Sequence, residues 1–286
     1  MERERWEKVY QLLQTADTHA FRGVYQAAAV LAVFFWAVIH DRPVSWACEK
    51  ANWDRRPFRL PSQPTMSRRL RQADVIALLV CVEQVPEVTG SCEPTCVKCI
   101  DGKPLTVGGC SHDPNARWGR GAGGIARGYK FFAVWGRGPI PLTWQVATMN
   151  VSEEHMATKL IPRLSGQGGY LLGDSLYDVN RLYDLALANG HQLIAPKKRK
   201  GSGLGHQRHS PARLRGIELL ATPFGQELYG MRTRIERNFG NLSNFGGGLS
   251  PSPAWIRRPH RVEAWVRAKI IVSALRECCH HQKAVE

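Results

Sequence analysis

No apolar run in this sequence reaches the ~20 residues that a helix needs to span a bilayer. The longest candidate, Val24 to Ile39 (VYQAAAVLAVFFWAVI), stops at sixteen residues and includes Gln26, so it predicts a buried core helix and no membrane span. The opening MERERWEKVYQLLQ lacks the basic-then-apolar order of a secretory leader. The expectation is therefore a cytoplasmic or nucleoid-associated protein, in a compartment where disulfides are rare. Acid is scarce too: 24 Asp and Glu face 39 Lys and Arg, a formal charge of +15. That imbalance favours polyanionic partners, nucleic acid first, because each phosphate neutralised by a cation releases a condensed counterion. Internal repeats are also missing.

What is present suits a globular chain. The 286 residues are 43% hydrophobic with nine tryptophans, enough for one sizeable core and a small extra domain. Residues 1 to about 85 read as helical: Trp6 to Gln14, the Val24 segment, Val44 to Ala51, and Thr65 through Val82. Three prolines in NWDRRPFRLPSQP break any helix between the last two. The final segment has Thr65 as N-cap and carries Arg68, Arg69 and Arg71. Two readings fit it: a helix-turn-helix whose second helix enters a DNA groove, or a solvated basic face on a helical bundle.

From Cys96 the texture turns to strands. TCVKCIDGKPLTV reads as one, and GYKFFAVWG with PIPLTWQVATM reads as a hairpin. A capping-box start at Ser152 opens a helix to about Leu164. A strand Tyr170 to Leu172, a helix Leu176 to Ala188 and a strand HQLIAP follow, which together indicate a mixed sheet with helices packed on it. Residues 196–215 hold seven Lys or Arg and no acid. Gly and Pro make them a loop, whose Lys197, Lys198, Arg199 and Lys200 are either solvated or in contact with phosphate. Helices are expected from Gln226 to about Asn244 and from Arg261 to Glu277.

Three acids stand out by position. Asp101 follows VKCI, Asp174 follows YLLG, and Glu236 lies mid-helix. Singly, they fit an Asp-Gly turn, a helix cap, and a salt bridge to Arg232 or Arg237. On one continuous helix, Leu228, Met231, Ile235, Phe239 and Leu242 form an apolar stripe, and Tyr229, Arg232, Glu236 and Ser243 share an adjacent face. A carboxylate bordering a buried face is placed to meet acids at strand ends.

The segments CIDGKPL, ARGYKFFAVWGRGPIPLTWQVATMNVSEE, YLLGDSLYD and YGMRTRIERNFGNL resemble the catalytic core of the DDE transposases of bacterial insertion sequences, the group with a Y-x2-R-x3-E-x6-K signature. The resemblance covers roughly residues 95–275, and TMSRRLRQ is similar to the family's amino-terminal helical region. It implies an α/β, ribonuclease H-like mixed sheet with flanking helices, preceded by a small all-α domain. The division would be 1–88 for DNA binding and 89–286 for catalysis, the latter including the 196–215 loop and the C-terminal helix.

By that resemblance Asp101, Asp174 and Glu236 would be the catalytic, metal-binding triad for Mg²⁺, or Mn²⁺ in its place, and Tyr229 and Arg232 would contact terminal DNA. Lys130 matches a commonly basic position, where it would reach DNA or stand as an ordinary surface-strand lysine. Arg68, Arg69 and the 197–200 run complete the expected DNA contacts. Ser243 stands where the family usually has lysine. Asp178 is expected to support a helical turn and stays outside the triad. The implied function is a DNA transposase that binds terminal inverted repeats, cleaves phosphodiester bonds and joins 3′ ends to target DNA as a homo-oligomer. The alternatives are an inactive DNA-binding relic and a nuclease on the same fold.

Cys92, Cys96, Cys99, Cys110 and His112 invite a zinc reading, as does CCHH at 278–281. Buried thiols in a strand are ordinary core residues, however, and adjacent cysteines make poor tetrahedral geometry. Zinc is the weaker expectation.

Overall fold

The computed structural model describes residues 2–17, 24–55, 58–85, 88, 95–108, 112–121, 123–164, 168–198, 203–204, 208–244, 249 and 252–285, without the side chains of 234–236, 243–244 and 277–285. The chain divides into two compact units. One comprises Met1–Ser91, Gly108–Pro114 and Asn241–Glu286; the other comprises Cys92–Val107 and Asn115–Gly240. The C-terminal helix thus groups with the amino-terminal helices, whereas the sequence reading put it with the sheet.

The helical unit is built around α2 (Ala27–Ile39), in which every residue except Ala29 is buried. Helices α1 (Glu2–Ala16), α3 (Val44–Ala47), α5 (Ala73–Gln84) and the long C-terminal α11 (Pro259–Val285) pack around it. Its apolarity on all sides, which made it the one membrane candidate, is that of a helix surrounded by others. Among the described residues no helix is long and apolar enough to cross a membrane. Trp6, Trp36 and Trp53 cluster beside it, with Trp36 and Trp53 stacked at 4.6 Å. Trp6 Nε1 donates to the Ala32 carbonyl at 2.7 Å, the partner a buried indole requires.

The expected helix from Thr65 through Val82 is two helices. The first, α4 (Gln63–Arg69), starts two residues earlier than expected, with Ser62 at the N-cap position and Pro64 in the first turn. It ends before Leu70, and α5 begins at Ala73. Arg69 ties this corner: it is buried, bonds Gln72, and grips Asp74 through Nη2 to Oδ2 at 2.7 Å and Nη1 to Oδ1 at 3.1 Å. A guanidinium spent in this way is unavailable to phosphate, so Arg69 leaves the expected DNA-contact set. Arg68 and Arg71 remain exposed.

The second unit holds a six-stranded mixed sheet. β1 (Val97–Thr106) pairs antiparallel with β3 (Gly124–Trp135) and parallel with β5 (Gly169–Leu172), and β5 pairs parallel with β6 (His191–Ile194). The far edge of β3 carries β2 (Arg117–Gly121) along residues 124–128 and β4 (Thr143–Thr148) along residues 129–134. The antiparallel β1–β4 followed by the parallel β5 and β6, with helices on both faces, form the ribonuclease H-like arrangement. Period-2 alternation splits β3 between two cores. Phe132 and Val134 join Ile100, Leu171, Leu182 and Leu193 beneath α6 (Glu153–Leu160) and α7 (Asn180–Ala188). Phe131 and Trp135 face the other way, against Phe239 of α10 (Thr233–Asn244) at 5.5 and 6.2 Å.

One strand has no counterpart in the sequence reading, and two sequence expectations change. RWGRG forms β2, a strand with poor intrinsic propensity, because Gly119 lets its backbone close on the Met149 carbonyl, 2.2 Å from where a Cβ would stand. The segment 196–215 is not loop throughout. Ser210 caps α8 (Pro211–Ala221), accepting from the Ala212 and Arg213 N–H groups. The helix expected from Gln226 to Asn244 is broken as well, with α9 (Pro223–Gly230) ending at a glycine and α10 starting at Thr233.

Candidate active site

Register builds the site before any side chain does. Cys99 of β1 lies opposite Leu172 of β5 in a parallel pair. Asp101, midway along β1, and Asp174, just past the end of β5, each follow two residues later, so they sit level where β1 runs on beyond its parallel neighbour. In α/β sheets ligands bind at the carboxyl end of the parallel strands, which here is the end of β5. Asp174 caps the short 3-10 turn Ser175–Tyr177, its Oδ1 accepting from the Leu176 N–H at 2.8 Å. The expected cap role therefore holds, and it orients the carboxylate.

Asp101 accepts the Gly102 N–H at 2.8 Å, and Arg232 Nη2 lies 3.7 Å from its Oδ2. Burial pushes the Asp101 carboxyl up to about 6. The Gly102 hydrogen bond and Arg232 oppose that rise, while the charges of Asp174 and Glu153 add to it. Arg232 reaches Asp101 from the turn between α9 and α10. The shared helix face expected for Tyr229, Arg232 and Glu236 is therefore not one face: Tyr229 lies on α9 and Glu236 on α10, and the side chain of Glu236 is outside the described residues. Met231, expected on the apolar stripe, is 42% exposed, whereas Leu228 and Phe239 are buried.

One acid was missed. Glu153, in the first turn of α6, packs against the opposite face of β1. Its Oε1 accepts from Lys130 Nζ at 2.9 Å, while Oε2 is buried without a hydrogen-bond partner. Gly102 makes the room for it, since a Cβ there would stand 2.6 Å from Glu153 Oε2. Burial raises the Glu153 carboxyl, opposed by Lys130, with Asp174 adding to the rise. Tyr177, fully buried among Glu153, Asp101, Asp174 and Arg232, has its phenol pushed well above the ordinary range, by burial first. The signal for Glu153 was present in the sequence as the first-turn glutamate after the Ser152 cap, where a helix-dipole role sufficed to explain it. Lys130, expected at DNA or on a surface, is 7% exposed and committed to Glu153.

The basic segment is anchored beside the site. Asp178 accepts the Lys198 backbone N–H at 3.0 Å and two Arg213 bonds. Lys198 is exposed and Lys197 half-buried; Arg199 and Lys200 lie outside the described residues. Among the cysteines, Cys99 is buried and Cys96 exposed, and Cys92 and Cys110 are outside the described residues. Among the described residues no three His, Cys, Asp or Glu side chains converge as a metal site; the Glu236 carboxylate is not in that set.

A family model described as Transposase DDE domain matches residues 93–272, a span that contains Asp101, Asp174 and Glu236. No curated protein and no solved structure matches the chain.

Proposed function

This chain belongs to the transposase DDE domain family, and we propose that it binds the terminal inverted repeats of an insertion sequence, cleaves phosphodiester bonds there and joins the freed 3′-hydroxyls to target DNA. The observation that carries the reading is the level placement of Asp101, midway along β1, and Asp174, at the end of β5, with Arg232 beside Asp101. The donor chemistry fits a hard divalent cation, which takes carboxylate oxygen and water. Asp101 and Asp174, with Glu236 as the third ligand, would hold Mg²⁺ or Mn²⁺. When bound, such ions supply an activated attacking oxygen and stabilisation of the leaving one.

The chain's own side chains do the rest. Arg232, with planar donors beyond those aimed at Asp101, orients the scissile phosphate bidentately. Tyr229 on the preceding helix contacts the same DNA end. Lys198, whose backbone N–H is held by Asp178, neutralises flanking phosphates together with its sequence neighbours Lys197, Arg199 and Lys200. Two DNA ends and their target require a homo-oligomer on double-stranded DNA.

The test is an end-cleavage assay on labelled inverted-repeat duplexes with Mg²⁺. Asp101→Ala, Asp174→Ala and Glu236→Ala should each abolish cleavage and strand transfer while leaving DNA binding. Cleavage surviving all three changes would remove the triad. A second reading, occupancy of DNA without cutting, is favoured by the cations already on the carboxylates, Arg232 on Asp101 and Lys130 on Glu153, and by Ser243 in place of lysine. It expects binding by the wild type and no cut product with either metal. Cleavage without joined product would point to a nuclease.

A further inference from the structure

The helical unit holds a cavity of about 180 Å³ with an apolar floor and a cationic rim. Phe34, Leu70, Trp255 and Ile256 make the floor, and Arg71, His260 and Arg261 stand around it. Trp255 is half-buried and held edge-on to Trp265 at 6.5 Å. Ser67 of α4 tethers both rim arginines: Arg261 Nη2 donates to its hydroxyl at 3.1 Å and Arg71 Nε to its carbonyl at 3.0 Å. A guanidinium has five N–H donors, so each keeps several for a ligand.

The rim side chains are cationic, and the acid bonded nearest them, Asp113, accepts the Arg258 backbone N–H at 2.9 Å. Arg71, Arg258 and Arg261 are exposed, and among the described residues none of the three side chains pairs with a carboxylate. His260 sits in their combined field; its imidazole is held below the ordinary range by burial first and then by Arg261, Arg71 and Arg258. An arginine pair beside an apolar floor selects an anion that also carries an apolar surface. A dry cavity of about 150 Å³ accepts benzene, so this one, somewhat larger and open at its rim, admits one planar base. It falls below the ~300–1,000 Å³ of drug-sized sites, which excludes a dinucleotide. Guanidinium forks match phosphate oxygens bidentately, and aromatic floors take nucleobases whatever their sequence because every base has a π-face.

We propose that this cavity binds one nucleotide, its base against the Phe34–Trp255 floor and its phosphate between Arg71 and Arg261. The nucleotide is either a free monophosphate or an unpaired residue at the end of a DNA strand. This site is separate from the carboxylates of the sheet, and its test contains no cleavage step, so it stands or falls independently of the catalytic reading.

Tryptophan fluorescence of the full-length protein would be titrated with dAMP, deoxyadenosine and inorganic phosphate. The expected result is dAMP binding at least tenfold tighter than either fragment. Arg71→Ala with Arg261→Ala should lose that advantage at an unchanged melting temperature, since both side chains are exposed; Trp255→Phe, which keeps a ring, should retain it. A duplex with 2-aminopurine in an unpaired 3′ overhang identifies the source. A saturable fluorescence change that dAMP competes away assigns the strand end, and dAMP binding with no such change assigns the free nucleotide. Equal affinity for dAMP and phosphate, or dAMP affinity unaltered by the arginine pair, overturns the proposal.

Discussion

Arg213 grips Asp178 with two hydrogen bonds, Nε to Oδ1 at 2.7 Å and Nη2 to Oδ2 at 2.8 Å, across thirty-five residues of chain. The same carboxylate accepts the Lys198 N–H, so one buried acid joins the end of β6, the basic segment and α8. Burial raises the Asp178 carboxyl, and the bonds from Arg213 and Lys198 more than offset it, leaving it below its ordinary value. A depressed acid stabilises the fold above its unfolded pKa of about 3.9, and that contribution fades as pH falls through the folded value. Arg213→Ala strands the buried carboxylate and should cost about 3–5 kcal/mol at pH 7. Urea melts at pH 7 and pH 3 check it: the deficit should shrink at pH 3, and a pH-independent deficit would mean that packing, not charge, is lost.

Gly102 and Glu153 are coupled by space. A methyl at Gly102 meets Glu153 Oε2 at 2.6 Å, Phe132 Cδ1 at 3.0 Å and Lys130 Cδ at 3.1 Å. Gly102→Ala should destabilise by about 1–3 kcal/mol, the usual range for overpacking. Truncating Glu153 to Ala removes the closest contact, so the glycine change should cost at least about 0.5 kcal/mol less in that background. A double-mutant cycle in urea measures the coupling, and strict additivity would show that Glu153 swings aside without cost.

Local pattern carried most of the sheet into view. Val97–Thr106, the β3–β4 hairpin and the capped start at Ser152 all follow from alternation and capping residues within a few positions. What was illegible depended on distant contacts or on signals that another feature masked. The helix from Pro211 begins with Ser-Pro, a start signal in its own right, but it was submerged in a run of glycine and charge. The break after Gly230 is local: glycine is about 1 kcal/mol poorer than alanine in a helix, and the Thr233 hydroxyl bonds the Gly230 carbonyl at 2.9 Å. At the site, Asp101 and Asp174 were legible as acids following apolar strands. The burial of Lys130 and Arg69 was not, because it rests on partners, Glu153 and Asp74, whose approach only the folded chain creates.

Arg68 and Arg69 are neighbours with opposite fates. Arg69 is buried and bonds the partly exposed Asp74, so Arg69→Ala should lower stability by about 1–3 kcal/mol through lost charge-assisted hydrogen bonds. Arg68 is exposed, and Arg68→Ala should leave the melting curve unchanged. If Arg68 contacts phosphate, its loss should reduce the slope of log affinity against log salt by about one. Thermal melts paired with salt-dependent DNA binding separate the two, and a stability loss for Arg68→Ala would contradict the exposed placement.

Ser243 lies seven residues after Glu236, where the Y-x2-R-x3-E-x6-K signature has lysine. A hydroxyl gives a phosphate one hydrogen bond and no charge. Ser243→Lys should therefore add one counterion-releasing contact, steepening the salt dependence of binding to inverted-repeat ends by about one. Titrations of terminal and internal duplexes at several salt concentrations check this, and an increase on internal DNA alone would place residue 243 away from the ends.

Asp101 is costly to ionise where it stands, by burial first, and the charge of Asp174 adds to that cost. Removing the Asp101 charge ends it, so Asp101→Asn should raise the melting temperature of the metal-free protein while removing a ligand. Added Mn²⁺ then separates the two proteins. A cation binding only the folded wild type at one hundred times its Kd adds about 2.7 kcal/mol, and Asp101→Asn should forfeit most of that gain. Thermal melts with chelator and with Mn²⁺ give all four values without any DNA. A metal-induced shift equal in both proteins would take Asp101 out of the ligand set. A metal-free melting temperature lower in Asp101→Asn would mean that the bonds from Gly102 and Arg232 outweigh the repulsion from Asp174.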